Sequence, residues 1–207
     1  MLAALLLAAL FGRPVAHGAC PALPLEAFAT TARVCDALEV SGHVDASGVS
    51  LDPAYDVRVP PSTLSRPVPG NAVLTGYTAD GRTLFSVPFE AAGRFTLELG
   101  LAPQLAAALN RLTLTADNAT FERVATDADV PTGEALALDD AHVIFVWNAD
   151  SFPAVRVSYR EGGPAVYSFS GTTTWEQVTI GTTVQHFTVS FSNGVRSIDR
   201  TVNVLGR

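Results

Sequence analysis

Along most of the chain, apolar residues alternate with polar ones at a period of two, the spacing of a strand with one buried face. Leu38, Val40 and Val44 alternate with Glu39, Ser41 and His43, and Phe95, Leu97 and Leu99 alternate with Arg94, Thr96 and Glu98. Val155, Val157 and Tyr159 alternate with Arg156 and Ser158, and Phe187, Val189 and Phe191 with Thr188 and Ser190. Val73 to Tyr77 and Thr83 to Phe89 flank Asp80-Gly81, a dipeptide suited to a hairpin turn. Asn193-Gly194 predicts a two-residue turn before the chain returns over Val195 to Val204. His142 to Trp147 is apolar at five of six positions, which predicts a central strand covered on both faces. Leu101 to Leu109 is the one short helix, and Pro53 to Pro69, with five prolines, reads as an edge or a loop.

Short strands separated by turn signals every 8–12 residues predict sandwiches or barrels. Thr126 to Asp140 breaks the pattern with Asp127, Asp129, Pro131, Gly133, Glu134, Asp139 and Asp140. The predicted fold is all-β. It has two tandem antiparallel β-sandwich domains, at 38–125 and 139–207, joined by an acidic linker at 126–138. Each half lies near the lower size limit for an independent core, so a shared interface is expected.

The N-terminus departs from this pattern. Met1 to Phe11 is almost pure Leu and Ala, too short to span a bilayer, and Ala16 and Gly18 suit a signal peptidase. The prediction is a signal peptide at 1–18, then a mature chain without a transmembrane span, exported to the periplasm, the cell surface or the medium. In an oxidising compartment the two cysteines, Cys20 and Cys35, read as one disulfide pinning a segment at 19–37. The rival reading anchors Cys20 by lipid; it leaves Cys35 unpaired, and His17 stands where a lipobox has an aliphatic residue.

Charge narrows the partners. All 13 basic residues are arginine, a bias matching a GC-rich bacterial genome, and the net charge is −7. The arginines are scattered singly, so nothing resembles a phosphate-binding stripe and nucleic acid is excluded as a partner. A protein or glycan ligand remains.

Residues 136–204 resemble an immunoglobulin or fibronectin-III-like module of the kind appended to secreted bacterial proteins. The residues that carry the likeness are Val143-Ile144-Phe145-Val146-Trp147, Val155-Arg156-Val157-Ser158-Tyr159, Gly162-Gly163, Trp175 and the Phe187 to Val204 hairpin. The inter-sheet disulfide of antibody domains is absent, because both cysteines lie at the N-terminus. Val40-Ser41-Gly42-His43-Val44-Asp45 and Tyr77-Thr78-Ala79-Asp80-Gly81 more loosely resemble carboxypeptidase-regulatory and transthyretin-like sandwiches. These resemblances imply spacers, binders or stabilisers rather than an activity.

Catalytic chemistry has little to stand on. His43, His142 and His186 have no second histidine at a chelating offset, and no G-x-S-x-G elbow is present. No catalytic residue and no organic cofactor is predicted. Asp127, Asp129, Asp139 and Asp140 could supply hard oxygens to a weak calcium site, against the plainer reading of a solvated linker. Trp175, among Thr172-Thr173-Thr174 and Glu176, is the candidate ligand contact, whereas Trp147 reads as core. The expectation is a non-enzymatic exported binding or accessory module. The alternative is a secreted hydrolase, or an accessory fragment of one, acting on glycan or peptide through paired carboxylates.

Overall fold

The computed structural model describes residues 34–126, 130–139, 142–159, 167–171, 176–179 and 184–206. The expected alternation becomes strand pairing almost throughout. The first lobe holds β1 (Cys35–Asp45), β2 (Gly48–Leu51), β3 (Tyr55–Val59), β4 (Ala72–Tyr77), β5 (Thr83–Phe89), β6 (Gly93–Gly100), a short helix α1 (Pro103–Ala108), β7 (Arg111–Ala116) and β8 (Ala119–Val124). β6 pairs along one edge of β1, while β2 and β3 lie end to end along the other, with Gly42 opposite Leu51 and Glu39 opposite Tyr55. The second sheet has the order β5-β4-β7-β8. Leu38, Val40 and Val44 of β1 and Leu97 and Leu99 of β6 share one buried cluster with Leu74 of β4 and Leu112 and Leu114 of β7. Each such side chain contributes about 1.5–3 kcal/mol on leaving water, which is why the polar alternates face outward.

The Asp80-Gly81 turn forms as expected: Gly81 takes φ +83, and Thr78 and Arg82 close the hairpin with a 2.9 Å main-chain hydrogen bond. The proline-rich stretch supplies β3, an edge strand, and one 3-10 turn at Pro61–Thr63. It is tied to β6 where Glu98 N donates to Ser65 Oγ at 2.8 Å.

The second lobe holds β9 (Gly133–Ala137), β10 (His142–Trp147), β11 (Ala154–Tyr159), β12 (Tyr167–Gly171), β13 (Glu176–Thr179), β14 (His186–Ser192) and β15 (Ser197–Leu205). Their order is β12-β11-β14-β15-β9-β10-β13. All pairs are antiparallel except β15 with β9, which runs parallel through Val204–Ala135 and Leu205–Leu136. Phe145, Phe152, Phe187, Phe191 and Trp147 fill its core, with Phe152 and Phe191 edge-on at 5.8 Å. Trp147 is core as expected; its indole N–H, which burial would otherwise strand, donates to Phe152 O at 2.8 Å.

Three expectations change. The linker placed at 126–138 contains β9, because Ala135 is fully buried and pairs into two neighbours. β10 is covered on one face only: Val143, Phe145 and Trp147 are buried, while His142, Ile144 and Val146 are half-buried. The hairpin turn sits one residue later than the Asn-Gly signal suggests. Asn193 N donates to Arg196 O at 2.9 Å, so Gly194 and Val195 form the turn's centre. Among the described residues no helix is long and apolar enough to cross a membrane.

Candidate functional site

The shifted hairpin tip builds a contact between the lobes. Asn193 Oδ1 accepts from the main-chain N–H groups of Val195 and Arg196, at 3.2 and 2.9 Å, in place of its own carbonyl. That frees the Asn193 carbonyl for the first lobe, and the Gly194 carbonyl, at the centre of the turn, faces the same way. Thr126 N donates to Asn193 O and Ala54 N donates to Gly194 O, each at 3.0 Å. Gly194 has φ +103, a backbone state that favours glycine. Val195, fully buried, belongs to the core cluster of the first lobe rather than its own.

Beyond the tip the contact turns polar. Asp56 and Ser197 exchange two hydrogen bonds, main-chain N–H to Ser197 Oγ and main-chain N–H to Asp56 Oδ2, both 2.9 Å. Arg196 Nε lies 3.4 Å from the same Asp56 oxygen; the pair is ionic, for Nε itself makes no well-formed hydrogen bond. Burial pushes the Asp56 carboxyl above its usual range, opposed by Arg196 and the Ser197 N–H and reinforced by the charge of Asp199. Arg156 of β11 reaches across to Glu39 of β1 and lies 4.2 Å above the Tyr55 ring. Burial lifts the Tyr55 hydroxyl to about 12, with Arg156 opposing.

Where the strands diverge past these contacts, a groove of about 560 Å³ opens, within the size range of small-ligand and peptide sites. Its floor is the outer face of the second lobe: Ser158 of β11, Thr188 and Ser190 of β14, and Asp199 of β15. One wall is β3, through Asp56, Val57 and Arg58, and α1 overhangs with Pro103 and Ala106. Arg58 is ion-paired to Asp36 at 3.3 Å, and Asp199 accepts from Ser190 Oγ at 2.6 Å. The lining therefore offers hydroxyls, carboxylates and guanidinium groups with little net charge. That chemistry orients a polar ligand by hydrogen bonds rather than capturing a strongly charged one.

The residues singled out from sequence lie elsewhere. Cys35 opens β1 and is buried, while Cys20 lies outside the described residues. So do Trp175, Asp127, Asp129 and Asp140. Asp139 is described, and both its oxygens face the His142 ring nitrogen Nδ1 at 2.8 Å, with the His142 N–H also on Oδ1. His43 pairs with Asp45 at 2.6 Å at the end of β1, and His186 stands exposed on β14. Among the described residues no group of three metal-ligating side chains comes together. Sequence reading missed Asp56, Arg156, Arg196, Ser197 and Asp199 as a set. The one signal was a charged residue at regular positions on otherwise apolar strands, which an exposed face explains equally well.

No family model matches the chain, and no curated protein matches it either. Among solved structures, the two-fibronectin-type-III-domain segment of chicken tenascin aligns with 83% of this chain and 96% of its own length. The sequence identity is 15% and the TM-score 0.28. At that score the two do not superpose closely, and the all-β architecture rests on the chain's own sheets.

Proposed function

We propose that this chain is an exported, non-enzymatic binding module that holds a polar ligand, protein or glycan, in the groove between its two lobes. The observation behind this reading is the groove itself: a hydroxyl-rich floor from one lobe faces a strand edge and a helix from the other, across a junction fixed by reciprocal hydrogen bonds. Two sandwich domains divided near residue 126, export by the Leu/Ala leader, and a Cys20–Cys35 disulfide belong to the same proposal. No sheet among the described residues runs from one lobe into the other, which favours the division.

The hydrolase alternative draws on one feature, the closeness of Asp56, with its raised pKa, to Asp199. Both carboxylates already accept structural hydrogen bonds, from Ser197 N–H and from Ser190 Oγ. The test is retention of envelope material on the immobilised mature chain, compared with the variant Ser158→Arg/Thr188→Arg, which fills the groove from its floor. Retention that the variant loses supports the proposal. Equal retention by both proteins overturns the groove as the site, and release of cleaved glycan or peptide from the extract overturns the non-enzymatic reading.

A further inference from the structure

Alternation along the β14–β15 ladder decides which way each main-chain group of β15 points. Asn193–Arg196 and Gln185–Val204 are hydrogen-bonded positions, and the register Ser192–Ser197 through His186–Asn203 fixes those between. In an antiparallel pair such positions alternate with open ones. The N–H and C=O groups of Ser197, Asp199 and Thr201 therefore point away from β14. Ser197 uses its N–H on Asp56. Further along, β9 takes the same edge from Val204 onward.

Between these two neighbours the edge is open. Among the described residues, nothing donates to or accepts from the main chain of Asp199 and Thr201 except the guanidinium of the adjacent Arg200, 3.5 Å from Asp199 O. The opening runs from Ser197 to Val204, roughly 20 Å at 3.3 Å per residue. Ile198, Asp199, Arg200 and Thr201 are all exposed. At one end it meets the groove, which Ser197 and Asp199 line. At the other it meets the exposed apolar pair Leu136 and Leu205, which sit side by side on β9 and β15.

Charge selects among occupants. A second copy pairing antiparallel through the same outward groups centres on Ile198, Asp199, Arg200 or Thr201. The first three set Arg200 against Arg196, Asp199 against Asp199 or Arg200 against Arg200, and like charges directly opposite are destabilising. The Thr201-centred register needs Asn203, next to the residue where β9 takes the edge. A strand of different sequence escapes that penalty by placing a base opposite Asp199 and an acid opposite Arg200. We infer that the open edge of β15 takes up an extended segment of a different polypeptide as an added strand. That segment hydrogen-bonds through the main chain of Asp199 and Thr201 and lays apolar residues beside Leu205. The inference rests on the binding-module reading and names the ligand class for the end of the groove that adjoins β15.

The test pans a displayed random-decapeptide library against the full chain and against Thr201→Pro. That substitution removes an N–H outside the β14 ladder, so the fold tolerates it. Expected are enriched sequences with alternating apolar residues and one basic and one acidic position, bound at least tenfold more weakly by T201P. Amide hydrogen exchange should slow at Asp199 and Thr201 when the selected peptide is added. Asp199→Arg should exchange the preferred basic position for an acidic one. No enrichment over the starting library overturns the inference, as do peptides that bind T201P equally or protect other amides. A dimer in solution that T201P dissolves also overturns it, assigning the edge to a second copy. Envelope material lost by the groove-floor variant but kept by T201P overturns the added strand while the groove reading stands.

Discussion

Two segments lead from the first lobe to the second: the acidic connector that follows Thr126, and the tip of the β14–β15 hairpin. The connector is the covalent link and carries the conspicuous charges, yet Val130 within it is 70% exposed. The hairpin tip comes far later in the chain and is short, yet it places Val195 at zero exposure inside the other lobe's core. It also spends two main-chain carbonyls on that lobe. Mechanical coupling between lobes follows buried apolar surface and satisfied main-chain groups, not proximity in sequence. A valine in a neighbour's core holds the two lobes together.

The sharpest way to break this contrast is to make one substitution in both places. Val195→Asp forces a carboxylate into an apolar core with no partner, and we expect a loss of more than about 3 kcal/mol in urea unfolding. Val130→Asp adds the same charge to the connector and should stay within about 0.5 kcal/mol. Val195→Asp should also separate one unfolding transition into two, since each lobe retains its own sheets. Equal midpoints for the two variants would show that the tip is not what joins the lobes.

Gly194→Ala tests the backbone of the tip rather than its plug. At φ +103 a Cβ is strained, and it would lie 3.3 Å from Val124 O. About 1–3 kcal/mol should be lost, with the groove residues shifting in chemical-shift maps because Gly194 O anchors Ala54. Asn193→Ala probes the device that frees the Asn193 carbonyl. Without Oδ1, the N–H groups of Val195 and Arg196 lose their acceptor, at a cost of about 1–2 kcal/mol. If Asn193→Ala proves neutral, its own carbonyl has replaced the side chain. Thr126 would then show faster amide exchange.

The tip also marks how far the sequence could be read. Strand alternation, the Asp80-Gly81 turn, the short helix and the buried Trp147 all follow from local physics: side-chain period, positive φ and apolar area. The Asn193-Gly194 signal located the hairpin but not its register, because Thr126 and Ala54 compete for the carbonyls and both are distant in sequence. β9 escaped notice because Glu134 and the flanking turn residues mask a strand whose inward residues include a small alanine, Ala135. The groove was illegible for the same reason throughout. Arg156, Ser158 and Ser190 look like any outward-facing strand positions until β3 and α1 stand opposite them.

The smallest expected effects come from two carboxylates, one at the junction and one far from it, whose pKa values move in opposite directions. Asp56, beside the tip, is raised chiefly by burial, with Arg196 and the Ser197 N–H pulling it back and Asp199 pushing it further up. Its folded form holds the proton more tightly than the unfolded chain does. Ionising it therefore costs stability, and the cost accrues as pH rises from about 3.9, the unfolded value, through the folded one. Asp45, in the β1–β2 turn, is held at about 2, first by the Ser47 hydroxyl and then by His43 and the Ser47 N–H. Its contribution is present above the unfolded value and is lost as pH falls from about 3.9 towards 2. The two trends partly cancel in the native protein, and single substitutions should expose them. In urea unfolding between pH 2 and 7, Asp56→Asn should remove a decline in stability with rising pH. Asp45→Asn should remove a loss on acidification, one that is small because the turn is solvent-exposed and salt screens it. If Asp56→Asn leaves the profile above pH 4 unchanged, the junction is wet enough to ionise Asp56 freely. The tip would then be holding the lobes through Val195 and the carbonyls of Asn193 and Gly194, without help from Asp56.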